Sequence, residues 1–376
     1  MAYEPAQPIA PLPVPDRLLM GPGPSNVHPR VYGALATPVP GHLDPVYLGI
    51  MDDVQALLRY AFQTGNRHTL ALQATGMAGM EAVFTNLVEA GDRVLVCVNG
   101  FFGGRMCDII ERLGGEALRL EVEWGQSIDP EAVRQKLRQE RAIKAVALVH
   151  AETSTGVLQP LEAIGALCRE HEALFIIDCV TSLGGCPLQI DAWGVDAAYS
   201  GTQKCLSCPP GLSPMTFSPR AVEAIGKRRG RIPSFYFDLT ELFKYWSEAR
   251  VYHHTGPISM MYALREALRL LHEEGLEARI TRHARNAALL IEQLGSLGIA
   301  PFARADVRLP SLTTVRLPPG VEDAAVRRHL LNAYNVEIGG GLGPIAGKVW
   351  RIGLMGYTSH PRNVYYLCHA LRAILC

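Results

Sequence analysis

Between residues 44 and 200 the chain alternates two kinds of hydrophobic spacing. Over 44–64 the apolar residues recur at helical intervals, with Ile50, Val54, Leu57, Leu58 and Ala61 on one face, which predicts an amphipathic helix. From residue 69 onward, short apolar runs alternate with longer amphipathic stretches. TLALQ (69–73), RVLVCV (93–98), EALRLEV (116–122), KAVALVH (144–150), LFIID (174–178) and DAAYS (196–200) read as strands. The stretches 77–89, 103–113, 130–138 and 161–171 between them read as helices. Several strands are apolar at nearly every position, as strands buried on both faces must be. The alternation therefore predicts an α/β fold with a mostly parallel sheet covered by helices on both sides.

Past Gly211 the rhythm loosens. SPMTFS (213–218) reads as a strand running back along the sheet, and 257–294 is largely helical. SLTTVRL (311–317), a helix near 323–333, VEI (336–338), KVWRIGL (348–354) and a helix from Pro361 follow. The expected organisation is an arm over 1–24, a large domain over 25–270 and a smaller α+β domain over 271–376. The proline-rich N-terminal segment is expected to extend over the surface or a neighbouring subunit, and to pack in part on the small domain.

A chain of 376 residues with 48% hydrophobic residues can bury a sizeable core, and 36 basic against 36 acidic residues leave no formal net charge. That balance argues against nucleic acid or an acidic membrane as partner. No apolar run is long enough to span a bilayer. The N-terminus lacks the basic-then-apolar order of a secretory signal, and the C-terminal AILC is not a peroxisomal tripeptide, so the expected location is cytoplasmic. Nine scattered cysteines fit a reducing compartment, and the lone C-x-x-C at Cys205 and Cys208 lacks the second pair of a zinc ribbon. His253 and His254 are adjacent, so their side chains point in different directions and chelate poorly. No metal is expected.

Candidate chemistry collects at strand ends, where ligands gather in open α/β sheets. Lys204 is the only lysine between Lys144 and Lys227, and it sits among small, apolar and turn-forming residues in YSGTQKCLSCPPG. Asp178 closes an apolar strand 26 positions earlier. Thr75, Gly76 and Met77 open a helix, where free N–H groups can meet an anion. Each has an ordinary reading: Asp178 as a helix cap, and the Thr75–Gly76 turn as one of many helix starts. Together they suit an aromatic, phosphate-bearing cofactor. The carboxylate holds a ring nitrogen protonated, and a lysine of depressed pKa acts as nucleophile.

With these residues in place, the chain resembles the class V aminotransferases, pyridoxal-phosphate enzymes of fold-type I, and within them the alanine–glyoxylate and serine–pyruvate group. The matching stretches span nearly the whole chain and include LLMGPGPSNVHPRV, QATGMAGMEA, VHAETSTGVLQPL, IIDCVTSLGG, YSGTQKCLSCPPGLSP, YHHTGPISMMYALREAL and EIGGGLGPIAGKVWRIGLMG.

The resemblance implies that Lys204 is the Schiff-base lysine, Asp178 the partner of the pyridine nitrogen, and Val180 a residue packed on the ring. It places Thr75, Gly76, Met77 and Gln203 on the phosphate, and Thr153 near the ring oxygen and substrate. Tyr252 and Thr255 become phosphate ligands donated by the other subunit of a homodimer. Arg351 becomes the clamp on the substrate carboxylate, and Gly23, in Gly21-Pro22-Gly23, lines the substrate pocket. Phe102 stands where several relatives carry a stacked tryptophan, and Met77 where some carry histidine. Phenylalanine still offers a π-face, and position 77 contributes its backbone N–H.

The implied reaction moves an amino group from alanine or serine to glyoxylate or pyruvate. Another donor, such as hydroxykynurenine, remains the alternative. A cysteine desulfurase usually carries histidine where Gln203 stands. A nicotinamide dehydrogenase needs G-x-G-x-x-G, whereas ATGMAGM offers only G-x-x-G.

Overall fold

The computed structural model describes residues 10–375. Its centre is a seven-stranded sheet, here numbered β1 (His68–Leu72), β2 (Arg93–Val98), β3 (Glu116–Glu121), β4 (Ile143–Val149), β5 (Leu174–Asp178), β6 (Ala197–Tyr199) and β7 (Ser213–Phe217). Their spatial order is β1-β7-β6-β5-β4-β2-β3. Every pairing is parallel except those of β7, which runs antiparallel to both β1 and β6. The returning strand expected at 213–218 is therefore present, inserted next to the β1 edge.

Burial follows position in the sheet. Val94–Val98 of β2 and all of β5 are buried, as strands covered on both faces must be. At the β3 edge exposure returns, and Arg119 and Glu121 face one another across 3.4 Å. Charges there discourage pairing with another chain.

Helices expected from periodicity are found at Pro45–Phe62, Gly76–Leu87, Phe101–Arg112, Pro130–Gln139 and Glu162–Glu170. Asp44 and Asp129 cap two of them, each just ahead of a proline at the first helical position. The helical stretch over 257–294 divides into Ile258–Glu274 and Leu276–Gly295. The break is Gly275, whose φ of +85° suits glycine alone.

A second apolar cluster lies beyond this break. Leu290, Leu294, Ile299, Val315, Trp350 and Leu367 pack together, and Met20 from the N-terminal segment joins them. Leu18–Leu19 pairs in parallel with Val336–Glu337, which ties that segment to the C-terminal part of the chain. Residues 1–9 of the expected arm lie outside the described residues. Among the described residues no helix is long and apolar enough to cross a membrane.

Candidate active site

Strand register builds the floor of the site. Val149 of β4 pairs with Asp178 of β5, and Asp178 with Tyr199 of β6, so three strands end level at one edge of the sheet. The backbone continues this alignment: His150 N–H donates to the Asp178 carbonyl at 2.9 Å, and Cys179 N–H to the Tyr199 carbonyl at 2.9 Å. The Asp178 side chain is thereby pointed out of the strand end, where its Oδ1 accepts from the N–H of Val180 at 2.8 Å. No helix follows Asp178, so the helix-cap reading does not hold; Oδ1 closes a turn through Val180 N–H instead.

Lys204 arrives five residues after Tyr199 on a loop pinned from several directions. Ser25 donates its backbone N–H to Gln203 O at 2.9 Å and its hydroxyl to Lys204 O at 2.7 Å. Thr202 donates to Pro209 O at 2.6 Å, and the buried Arg279 donates to Cys205 O at 2.7 Å. The Lys204 amine itself donates to Pro22 O. Gly23 lies against the lysine stem with φ of +114°. That φ favours glycine, and a β-carbon there would come within 2.8 Å of Lys204 Cδ and push the lysine aside.

These elements enclose a cavity of about 260 Å³ lined by Thr75, Gly76, Met77, Met80, Phe102, Val149, Thr153, Asp178, Val180, Gln203 and Lys204. Helix Gly76–Leu87 points its first turn at this space. Its cap residue Thr75 makes no side-chain bond, so the leading N–H groups are left for a ligand. A β-carbon at Gly76 would lie 3.3 Å from Gly201 Cα and 3.4 Å from Ser200 O, so only a residue without a side chain brings the two backbones together comfortably. Gln203 Oε1 is buried without a partner.

The electrostatics are those of two groups held near neutrality. Burial pushes the Asp178 carboxyl up to about 7; the Val180 N–H opposes this, and Glu152 adds to it. Burial also pulls the Lys204 ammonium down to about 8, with the Arg351 guanidinium working in the same direction. Around pH 7 to 8 a carboxylic acid and an amine of this kind can exchange protons with a substrate at little cost.

Arg351 lies in the strand Val349–Gly353, where it pairs with Thr314 on one side and Gly339 on the other. It is buried. Its Nε donates to Gly340 O at 2.7 Å, and Nη1 lies 3.5 Å from Thr153 O. It does not line the main cavity but stands beside Thr153, which does. Tyr252 and Thr255 are apart from the cavity in this chain, and both are exposed. Cys205 and Cys208 are buried free thiols, and burial raises Cys205 to about 11, which makes it inert.

Glu152 escaped sequence reasoning. It is fully buried two residues beyond Ala151's neighbour His150, just past the end of β4. Oε2 accepts from Phe102 N at 3.1 Å, and Oε1 accepts from Ser154 N at 3.0 Å and from Ser154 Oγ at 2.6 Å. One carboxylate thereby ties the helix turn carrying Phe102 to the loop carrying Thr153. An acidic residue just past a buried strand end, in HAETSTG, was the available signal.

A buried acid and a lysine of lowered pKa at the strand ends of a mostly parallel sheet make up the site of an α/β enzyme built for proton transfer and amine chemistry. Comparison with known proteins gives the family. Residues 45–359 match the model described as Aminotransferase class-V. A crystallised alanine–glyoxylate aminotransferase of Nostoc sp. superposes with a TM-score of 0.97 at 50% identity, over 98% of each chain. The (S)-ureidoglycine–glyoxylate transaminase of Bacillus subtilis is 42% identical over 96% of this chain and 91% of its own. The alanine–glyoxylate aminotransferase of Rattus norvegicus is 41% identical over 97% of this chain and 89% of its own. The chain belongs to the class V aminotransferases and is an aminotransferase.

Proposed function

We propose that this enzyme uses pyridoxal phosphate to move the amino group of a small amino acid, alanine or serine, to glyoxylate or pyruvate. The observation that carries the reading is the meeting of Asp178 and Lys204 in one buried cavity, each held near neutral pH. The cavity fits the cofactor: a carboxyl at its floor, an aromatic side chain and Val180 on its walls, an uncapped helix start and an orphaned amide at one end. The names of the relatives support glyoxylate as acceptor.

When bound, the cofactor supplies an electron sink for the charge left at the substrate α-carbon. The residues do the rest. Asp178 keeps a proton on the ring nitrogen by hydrogen bond and charge. Lys204 Nζ would take the proton from the substrate α-carbon and pass it to the exocyclic carbon of the bound cofactor, so that the α-carbon becomes the keto carbon of the product. Arg351 grips the substrate carboxylate with parallel N–H groups, oriented by its bond to Gly340 O. Phe102 and Val180, which line the cavity, would pack against the ring. Thr75, Gly76, Met77 and Gln203 would hold the phosphate, and Thr153 would contact the ring oxygen and substrate. Gly23 keeps the pocket wall close to Lys204.

The same reading makes the enzyme a cytoplasmic homodimer. Tyr252 and Thr255 are exposed in one chain, and in the dimer they reach the phosphate bound by the other. The domain division at 25–270 and 271–376 is part of this proposal.

A second reading changes the donor alone. The Bacillus subtilis transaminase named for (S)-ureidoglycine is 42% identical, level with the rat alanine enzyme at 41% though below the Nostoc one at 50%, so a ureido-bearing donor is the specific alternative. Half-reaction kinetics with alanine, serine and (S)-ureidoglycine against glyoxylate and pyruvate test both. Alanine or serine as the best donor supports the first reading, and (S)-ureidoglycine as the best donor replaces it with the second.

A further inference from the structure

A cluster of polar side chains lies buried behind the exposed Tyr252–Thr255 segment, and several of them lack partners. The hydroxyls of Tyr47 and Tyr245 and the Nε2 of Gln73 are buried with no hydrogen bond. The three groups lie together: the Tyr47 hydroxyl and the Gln73 amide meet over Gly256, and the Tyr245 ring lies 5.3 Å from the ring of His254, which contacts that amide. Gly256 closes over them: a β-carbon there would lie 2.9 Å from Gln73 Nε2 and collide with the Tyr47 hydroxyl. On its other side the Gln73 amide meets His254 Nε2. His254 Nδ1 lies 2.6 Å from His253 Nδ1, and His253 Nε2 lies 3.2 Å from the Phe235 carbonyl.

The donors in this chain of bonds can be worked out from its far end. A carbonyl only accepts, so His253 Nε2 carries a proton. A neutral His253 then accepts at Nδ1, and His254 must donate from its own Nδ1. That leaves His254 Nε2 as an acceptor, so the amide atom facing it must be the NH2 of Gln73. The two ends of an amide have the same shape, and its orientation is assigned from the bonds it makes. Turned this way, Gln73 presents its oxygen to Tyr47 and Tyr245, which donate to it. One orientation of one amide satisfies three otherwise orphaned groups, and no member of the network carries charge. The opposite orientation requires an imidazolium at His253 or His254, and offers the phenols only amide N–H groups, so their own protons find no acceptor in Gln73.

We propose that this neutral network, from Tyr47 and Tyr245 through Gln73, His254 and His253 to Phe235 O, holds the Tyr252–Thr255 segment in shape. Gln73 and His254 are then positioning residues for the phosphate bound by a second copy of the chain. The proposal rests on the reading that Tyr252 and Thr255 reach that phosphate. Gln73 is well placed for such a role. It stands two residues before Thr75, and its own carbonyl accepts from the Tyr236 hydroxyl at 2.9 Å. Phe235 stacks on His253 at 4.9 Å with an interplanar angle of 6°, which locks the far end.

The test compares two ligands that differ only in the phosphate. Dissociation constants for pyridoxal phosphate and for pyridoxal are measured on the cofactor-stripped dimer by fluorescence quenching. Gln73→Met and His254→Leu should each weaken pyridoxal phosphate about tenfold, the equivalent of one charge-assisted hydrogen bond, and leave pyridoxal unchanged. The double variant should cost no more than either single one, because both break the same network. Tyr252→Phe and Thr255→Val run alongside. If those two weaken pyridoxal phosphate while Gln73→Met and His254→Leu bind it as the wild type does, the proposal is overturned and the phosphate reading stands. If Tyr252→Phe and Thr255→Val change nothing, the phosphate reading fails and the proposal with it. Equal weakening of both ligands by Gln73→Met and His254→Leu would mark a general structural role and also overturn it.

Discussion

The floor of the cavity and the Arg250–Gly256 segment are built to opposite rules. At the floor, Asp178, Gln203 and Lys204 sit on strand ends and a loop pinned by backbone and side-chain bonds, all supplied by one chain. At the segment, Val251 and Tyr252 are about half exposed, while polar atoms of the neighbouring Trp246 and of Arg250 are buried without partners. Exposed aromatic groups over an unsaturated polar layer suit a surface completed by another protein chain. On the proposed reading, the bond-making chemistry is complete within one chain, whereas anchoring of the phosphate is shared between two.

The hardest way to break that division is to remove the lysine. Lys204→Ala should lower kcat by roughly four orders of magnitude or more, since both proton carrier and nucleophile are lost. Borohydride reduction followed by peptide mapping should place the cofactor on Lys204 in the wild type; label on Lys227 or Lys348 would contradict the assignment. The yield of that labelling should rise with pH through about 8, where the buried amine is half deprotonated, and level off above that.

Asp178→Asn removes charge while keeping shape. The α-proton step should slow by roughly 10²- to 10³-fold, with substrate affinity little changed, in single-turnover kinetics. The same variant reports on stability. The folded carboxyl titrates near 7 against an ordinary value of 3.8, so its contribution is fully present below about pH 4 and lost as pH rises through about 7. The cofactor-free wild type should therefore lose Tm relative to Asp178→Asn on going from about pH 5 to about pH 8. Parallel Tm curves would show that the carboxyl is not burdened by burial.

A smaller effect is expected at Arg351. Lysine keeps the charge but cannot form two parallel bonds, so Arg351→Lys should raise KM roughly 10- to 100-fold for both amino and keto acid. Cofactor absorbance should barely move. An unchanged KM in both half-reactions would place the carboxylate clamp elsewhere.

How much of this was legible depended on whether the signal was local. β2, β4 and β5 stood out as apolar runs, and Lys204 by its isolation, because each property resides in the segment itself. The helices Pro29–Leu35, Pro219–Gly226 and Leu239–Trp246 went unread, although His28, Ser218 and Asp238 cap them. They span seven or eight residues, too few for a helical period to stand out. Glu152 was missed because its importance lies in which N–H groups surround it, a property of tertiary structure. The roles of Arg351, Tyr252 and Thr255 came from family resemblance. Alternation alone placed Arg351 on a strand face, and nothing local distinguishes an exposed tyrosine on a free surface from one destined for a partner.

The shared-site claim is tested most directly by hybrid dimers. Lys204→Ala chains and Tyr252→Phe/Thr255→Val chains are co-expressed with different tags, the mixed dimer is isolated, and turnover is measured at limiting pyridoxal phosphate. One of its two sites then combines an intact Lys204 with intact Tyr252 and Thr255 from the other chain. The account predicts that the hybrid recovers up to half the wild-type activity while both parent homodimers stay far below it. A hybrid no more active than the mean of its parents would show that each site is complete within a single chain.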